Sequence, residues 1–308
     1  MRKGLHAINL MRFAAGSYRP TVGPAKVTWQ VGDHDSTVQI KKVVRDLAEC
    51  GVLQVIFGCE VFLRTDAFDL IDFASRIGLF TSANVDGGTI RRIGAGLIKS
   101  SLGALYVCAA PEAMQSISKN RRGAKPRLFM NITITADNCS DMSDIVRLAV
   151  ENGADGVTLR AACNGAISAR EYARRLEEQI GIIKRDYSQF MQYPAEYLDN
   201  MVTYVRDPKS LYRYKCVAGY STAFIKSDGE VCACPAGDFP LGNLREQSFQ
   251  DIWFSDRADQ VRKDIREDRH PMCWTHSVAP ITITAAYLRP WRMPMLLEPD
   301  VLRHMAWG

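Results

Sequence analysis

Residues 216–244 read C-V-A-G-Y-S-T-A-F-I-K-S-D-G-E-V-C-A-C-P-A-G-D-F-P-L-G-N-L. Two short strand-like runs, 222–226 and 230–234, flank Asp228-Gly229. That dipeptide predicts a hairpin with a type I′ turn, because glycine adopts positive φ without steric cost. The hairpin carries Cys232 and Cys234 on its second strand, with Cys216 just upstream. Cys273 arrives later, beyond a helical segment that holds Trp253 and Arg262. Thiols before a hairpin, at its end and past a helix can converge on one metal. The occupants that suit thiolates are an iron–sulfur cluster and tetrahedral zinc. The competing reading is packing, since an unpaired cysteine is among the most buried residue types.

Working outward, the chain from Lys26 alternates short apolar runs with longer helical patterns. The runs are 26–31, 53–57, 79–84, 105–108, 129–135 and 157–160; the helical patterns lie near 36–50, 66–77, 88–100, 111–118, 141–152 and 168–187. This succession of βα units predicts a parallel α/β sheet curled into a partial (β/α)6, TIM-like barrel. Ser36-Thr37-Val38-Gln39 reads as a capping box, with Gly51 as the stop; Ser168-Ala169-Arg170-Glu171 reads as a second box. The expected organisation is a helical extension over 1–25, the barrel over 26–187, a bridge over 188–214 and a small α+β domain over 215–308. The first twenty residues read as a basic amphipathic helix that is expected to pack on the barrel rather than on a membrane.

Composition narrows the classes. With 47% hydrophobic and 24% charged residues the chain is ordinary globular material. A net charge of +5 is too mild to argue nucleic-acid binding, and the one dense basic run, 119–127, is broken by Gly and Pro and reads as a solvated loop. Nine scattered cysteines with no preceding signal segment fit a reducing cytoplasm. No apolar run approaches the ~18 residues of a membrane span.

The run 216–244, the segment Gln247–Trp253 and Pro271-Met272-Cys273-Trp274-Thr275-His276 together resemble the SPASM/twitch domain of radical S-adenosylmethionine (radical SAM) proteins. The order of elements upstream resembles the barrel of the same superfamily. By this likeness Cys216, Cys234 and Cys273 bind an auxiliary [4Fe–4S] cluster. Relatives place further cysteines near Cys273, where this chain has His270 and Ser277; His270 or His276 then stands in as an imidazole ligand, and zinc is the alternative metal.

Ligands of parallel βα folds gather at the carboxyl ends of the strands, so reactive groups are expected there. In the superfamily, three cysteines after the first strand hold the cluster that cleaves S-adenosylmethionine. Here that loop is Gly32-Asp33-His34-Asp35, and no cysteine precedes Cys50. After the second strand, Phe57-Gly58-Cys59-Glu60-Val61 stands where relatives carry Gly-Gly-Glu-Pro. The resemblance gives Gly58, Glu60, Asn84 and Arg160 as S-adenosylmethionine contacts, with no catalytic cluster left to use it. His34, Cys59 and Cys108, with Asp33 or Asp35, also end strands and form an alternative zinc set.

The leading expectation is a radical SAM/SPASM-type protein without its catalytic cluster motif, acting as a binding module for a peptide, a protein or an active relative. Two rivals are an active enzyme with atypical cluster ligands, modifying a peptide or small metabolite, and a TIM-like barrel enzyme using zinc or no metal.

Overall fold

The computed structural model describes residues 2–32, 35–121, 123–162, 168–235 and 239–288. Helix α1 (Arg2–Ala14) precedes six βα units: β1 (Lys26–Trp29) and α2 (Thr37–Glu49), β2 (Gln54–Phe57) and α3 (Ala67–Arg76), β3 (Phe80–Val85) and α4 (Gly87–Lys99), β4 (Ala104–Cys108) and α5 (Pro111–Asn120), β5 (Arg127–Ile134) and α6 (Met142–Glu151), β6 (Gly156–Ala161) and α7 (Ala169–Asp186). Then come α8 (Ala195–Arg206), the strands β7 (Thr222–Ile225), β8 (Glu230–Cys232) and β9 (Pro240–Asn243), and helices α9 (Phe249–Trp253), α10 (Asp256–Arg266) and α11 (Ala279–Tyr287). Each βα unit falls within a few residues of its sequence reading.

The strands alternate, and the two faces differ in kind. One face is apolar throughout: Val27, Val55, Val85, Leu105, Met130 and Leu159 are 2% exposed or less, sharing one core with Ile40, Val44 and Leu47 of α2. Each such side chain contributes about 1.5–3 kcal/mol by leaving water. The other face turns Lys26, Thr28, Gln54, Asn84, Asn131 and Arg160 towards a cavity. A closed barrel fills its interior with packed side chains; this one, with polar residues at those positions, does not.

The sheet order is β6-β5-β4-β3-β2-β1-β7-β8-β9. Strands β1 to β6 are parallel, and β7 also runs parallel to β1, with Lys26 opposite Thr222 and Trp29 opposite Ile225. The small C-terminal unit therefore continues the barrel sheet across the boundary expected at 214/215. Residues 188–214, read as a bridge, supply α8, which packs along α7; Tyr197 donates its hydroxyl to the Leu159 carbonyl at 2.8 Å.

One turn differs from its sequence reading. Among Ser227, Asp228 and Gly229 only Gly229 has positive φ, at 86°. Gly229 N–H donates to the Lys226 carbonyl at 3.1 Å and Lys226 N–H to the Glu230 carbonyl at 2.9 Å. These are the marks of a three-residue loop, a type I turn closed by a left-handed glycine, rather than of a type I′ turn, which needs positive φ at both central residues. The Asp228 side chain secures it by accepting from Glu230 N–H at 3.0 Å.

Helix α1 lies on the protein, as expected. Leu10 and Phe13 are buried, His6 hydrogen-bonds the Gly51 carbonyl at 2.8 Å, and Arg266 donates to the Phe13 carbonyl at 2.9 Å. The basic run also has structural work: Arg121 pairs with Asp155, and Arg127 lies over the Phe129 ring, 4.9 Å from its centroid.

The Ser36 box forms in both directions, Gln39 N–H to Ser36 Oγ at 3.3 Å and Ser36 N–H to Gln39 Oε1 at 2.8 Å. Ser36→Ala is expected to cost about 1 kcal/mol, the ordinary worth of such a cap, read as a lower urea midpoint at unchanged slope.

Candidate functional site

Cys216 stands just before β7, Cys234 just after β8, and Cys273 with His270 in the segment between α10 and α11. All four line one small cavity of about 20 Å³, together with Ala218, Phe239, Ile265 and Pro271. The hairpin fixes the first two thiols. Arg262 of α10, 2% exposed, fixes the turn between them by donating to the Gly219 carbonyl. Cys232 does not join them; its thiol donates to a Glu230 carboxylate oxygen at 3.3 Å.

The electrostatics of this pocket call for a cation. Cys273 and Cys234 interact side chain to side chain, and that contact, followed by burial, raises the Cys273 thiol far above its ordinary value. Burial pushes Cys216 up to about 12, with Cys234 adding to the rise. Without a cation Cys216 and Cys273 remain protonated at neutral pH; a bound metal would offset the repulsion among thiolates and draw the protons off. His270 Nδ1 is buried with no hydrogen-bond partner, and burial lowers its pKa, so the imidazole is neutral and available. Among the described residues no three His, Cys, Asp or Glu side chains close to a finished metal-ligand geometry. The four donors thus frame a space rather than meet at a point. Their chemistry fits a thiophilic metal.

His276, the other imidazole considered, belongs elsewhere. It lines the large cavity inside the sheet, as do Thr275 and Ser277. Of the residues expected at the barrel mouth, Asn84 and Arg160 line that same cavity, and Gly58 and Glu60 are not among its walls. Glu60 instead folds back over Gly58, where a Cβ on residue 58 would come within 2.2 Å of Oε2. That oxygen is buried without a hydrogen-bond partner.

The first βα loop is tied shut at its described ends. Arg64 donates to the Gly32 carbonyl at 3.1 Å and the Asp35 carbonyl at 2.8 Å, and is held by Asp66. His34 and Asp33 lie outside the described residues. Cys59 and Cys108 are near enough that Cys108 adds to the rise of the Cys59 pKa, after burial and the nearby Glu60 and Asp86 carboxylates. Among the described residues they belong to no finished metal set.

The large cavity measures about 890 Å³. Its basic lining residues include Lys26, Arg127, Arg160 and His276, and no Asp or Glu is among its described walls. Sequence reading missed Lys26, because a lysine opening an apolar strand looks like a boundary; its period-two partnership with Thr28 was the available signal. Burial alone moves the Lys26 ammonium down from 10.5 to about 8. The side chain retains some exposed surface, but only towards the cavity it lines, so the cost of its charge is discounted to about 1–3 kcal/mol. The folded state therefore releases this proton before the unfolded state does, and the cost is fully present below pH 8 and gone above 10.5. Lys26→Met is expected to be more stable than the parent by that amount at pH 7, with the advantage shrinking to nothing by about pH 10.5. Paired urea titrations across this range check it, and an advantage independent of pH would point to packing instead.

A parallel barrel whose sheet runs on into a thiol-bearing hairpin defines a class, and the comparisons agree with it. The chain carries a C-terminal segment that matches the SPASM family and is similar to proteins of the radical SAM superfamily. Residues 216–275 match the SPASM family, described as an iron–sulfur cluster-binding domain. Over 158 residues the chain is 25% identical to the sporulation killing factor maturation protein SkfB of Bacillus subtilis (strain 168), a match covering 49% of this chain and 36% of SkfB, so it spans little more than a third of that relative. In fold it is similar to SuiB of Streptococcus suis, whose crystal structure is bound to the precursor peptide SuiA, with a TM-score of 0.58, 13% identity, and coverage of 90% of this chain and 74% of that one. No described helix is long and apolar enough to cross a membrane.

Proposed function

We propose that this chain is a peptide-binding module of the radical SAM/SPASM type that keeps a metal centre in its C-terminal domain and lacks the catalytic centre at its barrel mouth. The observation that carries this is the gathering of Cys216, Cys234, Cys273 and His270 around one cavity, while the loop after β1 contains no thiol. The three thiolates and the imidazole would hold an iron–sulfur cluster. When bound, such a cluster supplies a redox-active centre that also locks the hairpin to the segment after α10. A peptide is the favoured partner because SkfB is named a maturation protein and SuiB is bound to a precursor peptide. The eight described cysteines form no disulfide, which suits a reducing, cytoplasmic setting.

A second reading has its own support. A cavity of about 20 Å³ is the size of a single ion or water, and an eight-atom cube needs more room. Three thiolates with one imidazole are also an ordinary zinc set. Anaerobic purification and reconstitution with iron and sulfide separates the two. About four irons with matching acid-labile sulfide per chain supports the cluster; one zinc without sulfide supports the second reading. In either case reduced protein incubated with S-adenosylmethionine is expected to release no 5′-deoxyadenosine. Release of that product overturns the loss of catalysis.

A further inference from the structure

We propose that the interior of the half-barrel binds a small organic carboxylate with an apolar body, its acid group held by Lys26, His276 and Tyr193. The chamber reaches from the carboxyl ends of the strands, where Asn84 and Arg160 line it and ligands of parallel βα folds gather, to the opposite side of the sheet. Lys26 and Gln54 open their strands, so they sit at the amino-terminal side of the sheet, and Lys3 and His6 of α1 wall the cavity with them. Helix α11 contributes Ile281 and Thr284.

Three independent observations point to the ligand. The first is charge. Lys26 makes no ion pair among the described residues, the described walls contain no carboxylate, and Arg160, a further cation of the lining, donates to Thr133 at 3.3 Å. A desolvated ammonium without a counter-ion is costly, and a bound anion removes that cost. The second is unmet hydrogen bonding. The Tyr193 hydroxyl and His276 Nδ1 are both buried with no partner, and both residues line the cavity; Tyr193 is only 6% exposed. Buried polar atoms are rarely left unpaired, so two of them lining the same chamber as an uncompensated lysine, which is close enough to His276 to lower its pKa, mark a place for an acceptor group. The third is the rest of the wall. Tyr106 and Phe129 stack 5.3 Å apart, and Leu53, Ile56 and Ile281 continue the apolar lining. At about 890 Å³ the chamber is sized for an organic molecule rather than for an inorganic ion.

The acid group thus meets an ammonium and two donors while its carbon body lies on rings and aliphatic side chains. Inorganic phosphate would leave that apolar surface uncovered, and a neutral lipid would leave Lys26 uncompensated.

The test uses decanoate as the probe and decanol as its uncharged counterpart, by isothermal titration calorimetry on the full chain at pH 7. Decanoate is expected to bind one to one and at least about tenfold tighter than decanol, the worth of one charge-assisted contact. Lys26→Met is expected to weaken decanoate at least about tenfold and to leave decanol unchanged. Should that variant not fold, Tyr193→Phe, expected to weaken decanoate about threefold or more, carries the test. Equal binding of acid and alcohol, no binding of decanoate, or indifference to the substitution each overturns the proposal. Metal content is measured on the same samples, so a failure here is distinguishable from a failure of the C-terminal metal centre.

Discussion

Cys273→Ala is expected to lose the bound metal altogether, whereas Cys232→Ala keeps it. The contrast follows from position: Cys273 lines the small cavity with Cys216, Cys234 and His270, while Cys232 donates to Glu230 outside it. Removing one of three thiolates leaves two and an imidazole, too few to hold a cluster or a closed tetrahedral ion. Because a metal held there would bind the folded chain, its loss would also remove folding free energy. A ligand present at a thousand times its dissociation constant stabilises by about 4 kcal/mol, which for a chain of this size lowers the melting temperature by roughly 10 °C. Iron, zinc and sulfide content with a thermal melt read both effects. Equal metal in the two variants would show that the thiols of the cavity are packing residues. Their protonation sets the pH dependence: with thiols raised by burial and by one another, metal is expected to dissociate as the pH falls and protons compete for the sulfur.

Arg262→Ala is expected to cost about 3–5 kcal/mol, the usual penalty for breaking a buried charge network. The guanidinium, its side chain 1% exposed, donates to the carbonyls of Gly219 and Trp253 and to Asp259 at 2.9 Å, and lies 4.4 Å from the Trp253 ring centroid. Burial lowers its pKa to about 10, so it remains charged at neutral pH. Alanine strands two buried carbonyls and leaves Asp259 with Arg19 as its remaining cation. The damage reaches further than stability, because Gly219 also donates to the Ala233 carbonyl at 3.1 Å and so keeps the turn after Cys216 against the strand before Cys234. Loss of metal affinity is expected to accompany the loss of stability. Trp253 donates its indole N–H to the Val22 carbonyl at 3.1 Å, so its fluorescence reports the same event. A variant with an unchanged urea midpoint and full metal content would show that α10 does not organise the site.

Legibility tracked the range of the cause. The six βα units were readable because each depends on neighbours in sequence: apolar runs, capping serines and stop glycines act within a few residues. The hairpin was readable too, but its turn was not fully so. Asp-Gly permits either turn, and the choice fell to the pairing of Lys226 with Glu230. Cys216, Cys234, Cys273 and His270 are singled out by resemblance, and the fold places all four on one small cavity. The assignment of His276 was not, because nothing local distinguishes an imidazole aimed at thiols from one aimed into the sheet.

By itself, then, the sequence determined the order of strands and helices, the absence of thiols after the first strand and the supply of sulfur near the end. Tertiary structure alone decided that β7 pairs with β1, that Arg64 bonds the carbonyls of both Gly32 and Asp35, and that Lys26, Tyr193 and His276 share one chamber. The physical reason is the same in each case. Alternation and capping are encoded between adjacent residues, whereas the field on a buried lysine is set by whatever chain the fold brings beside it.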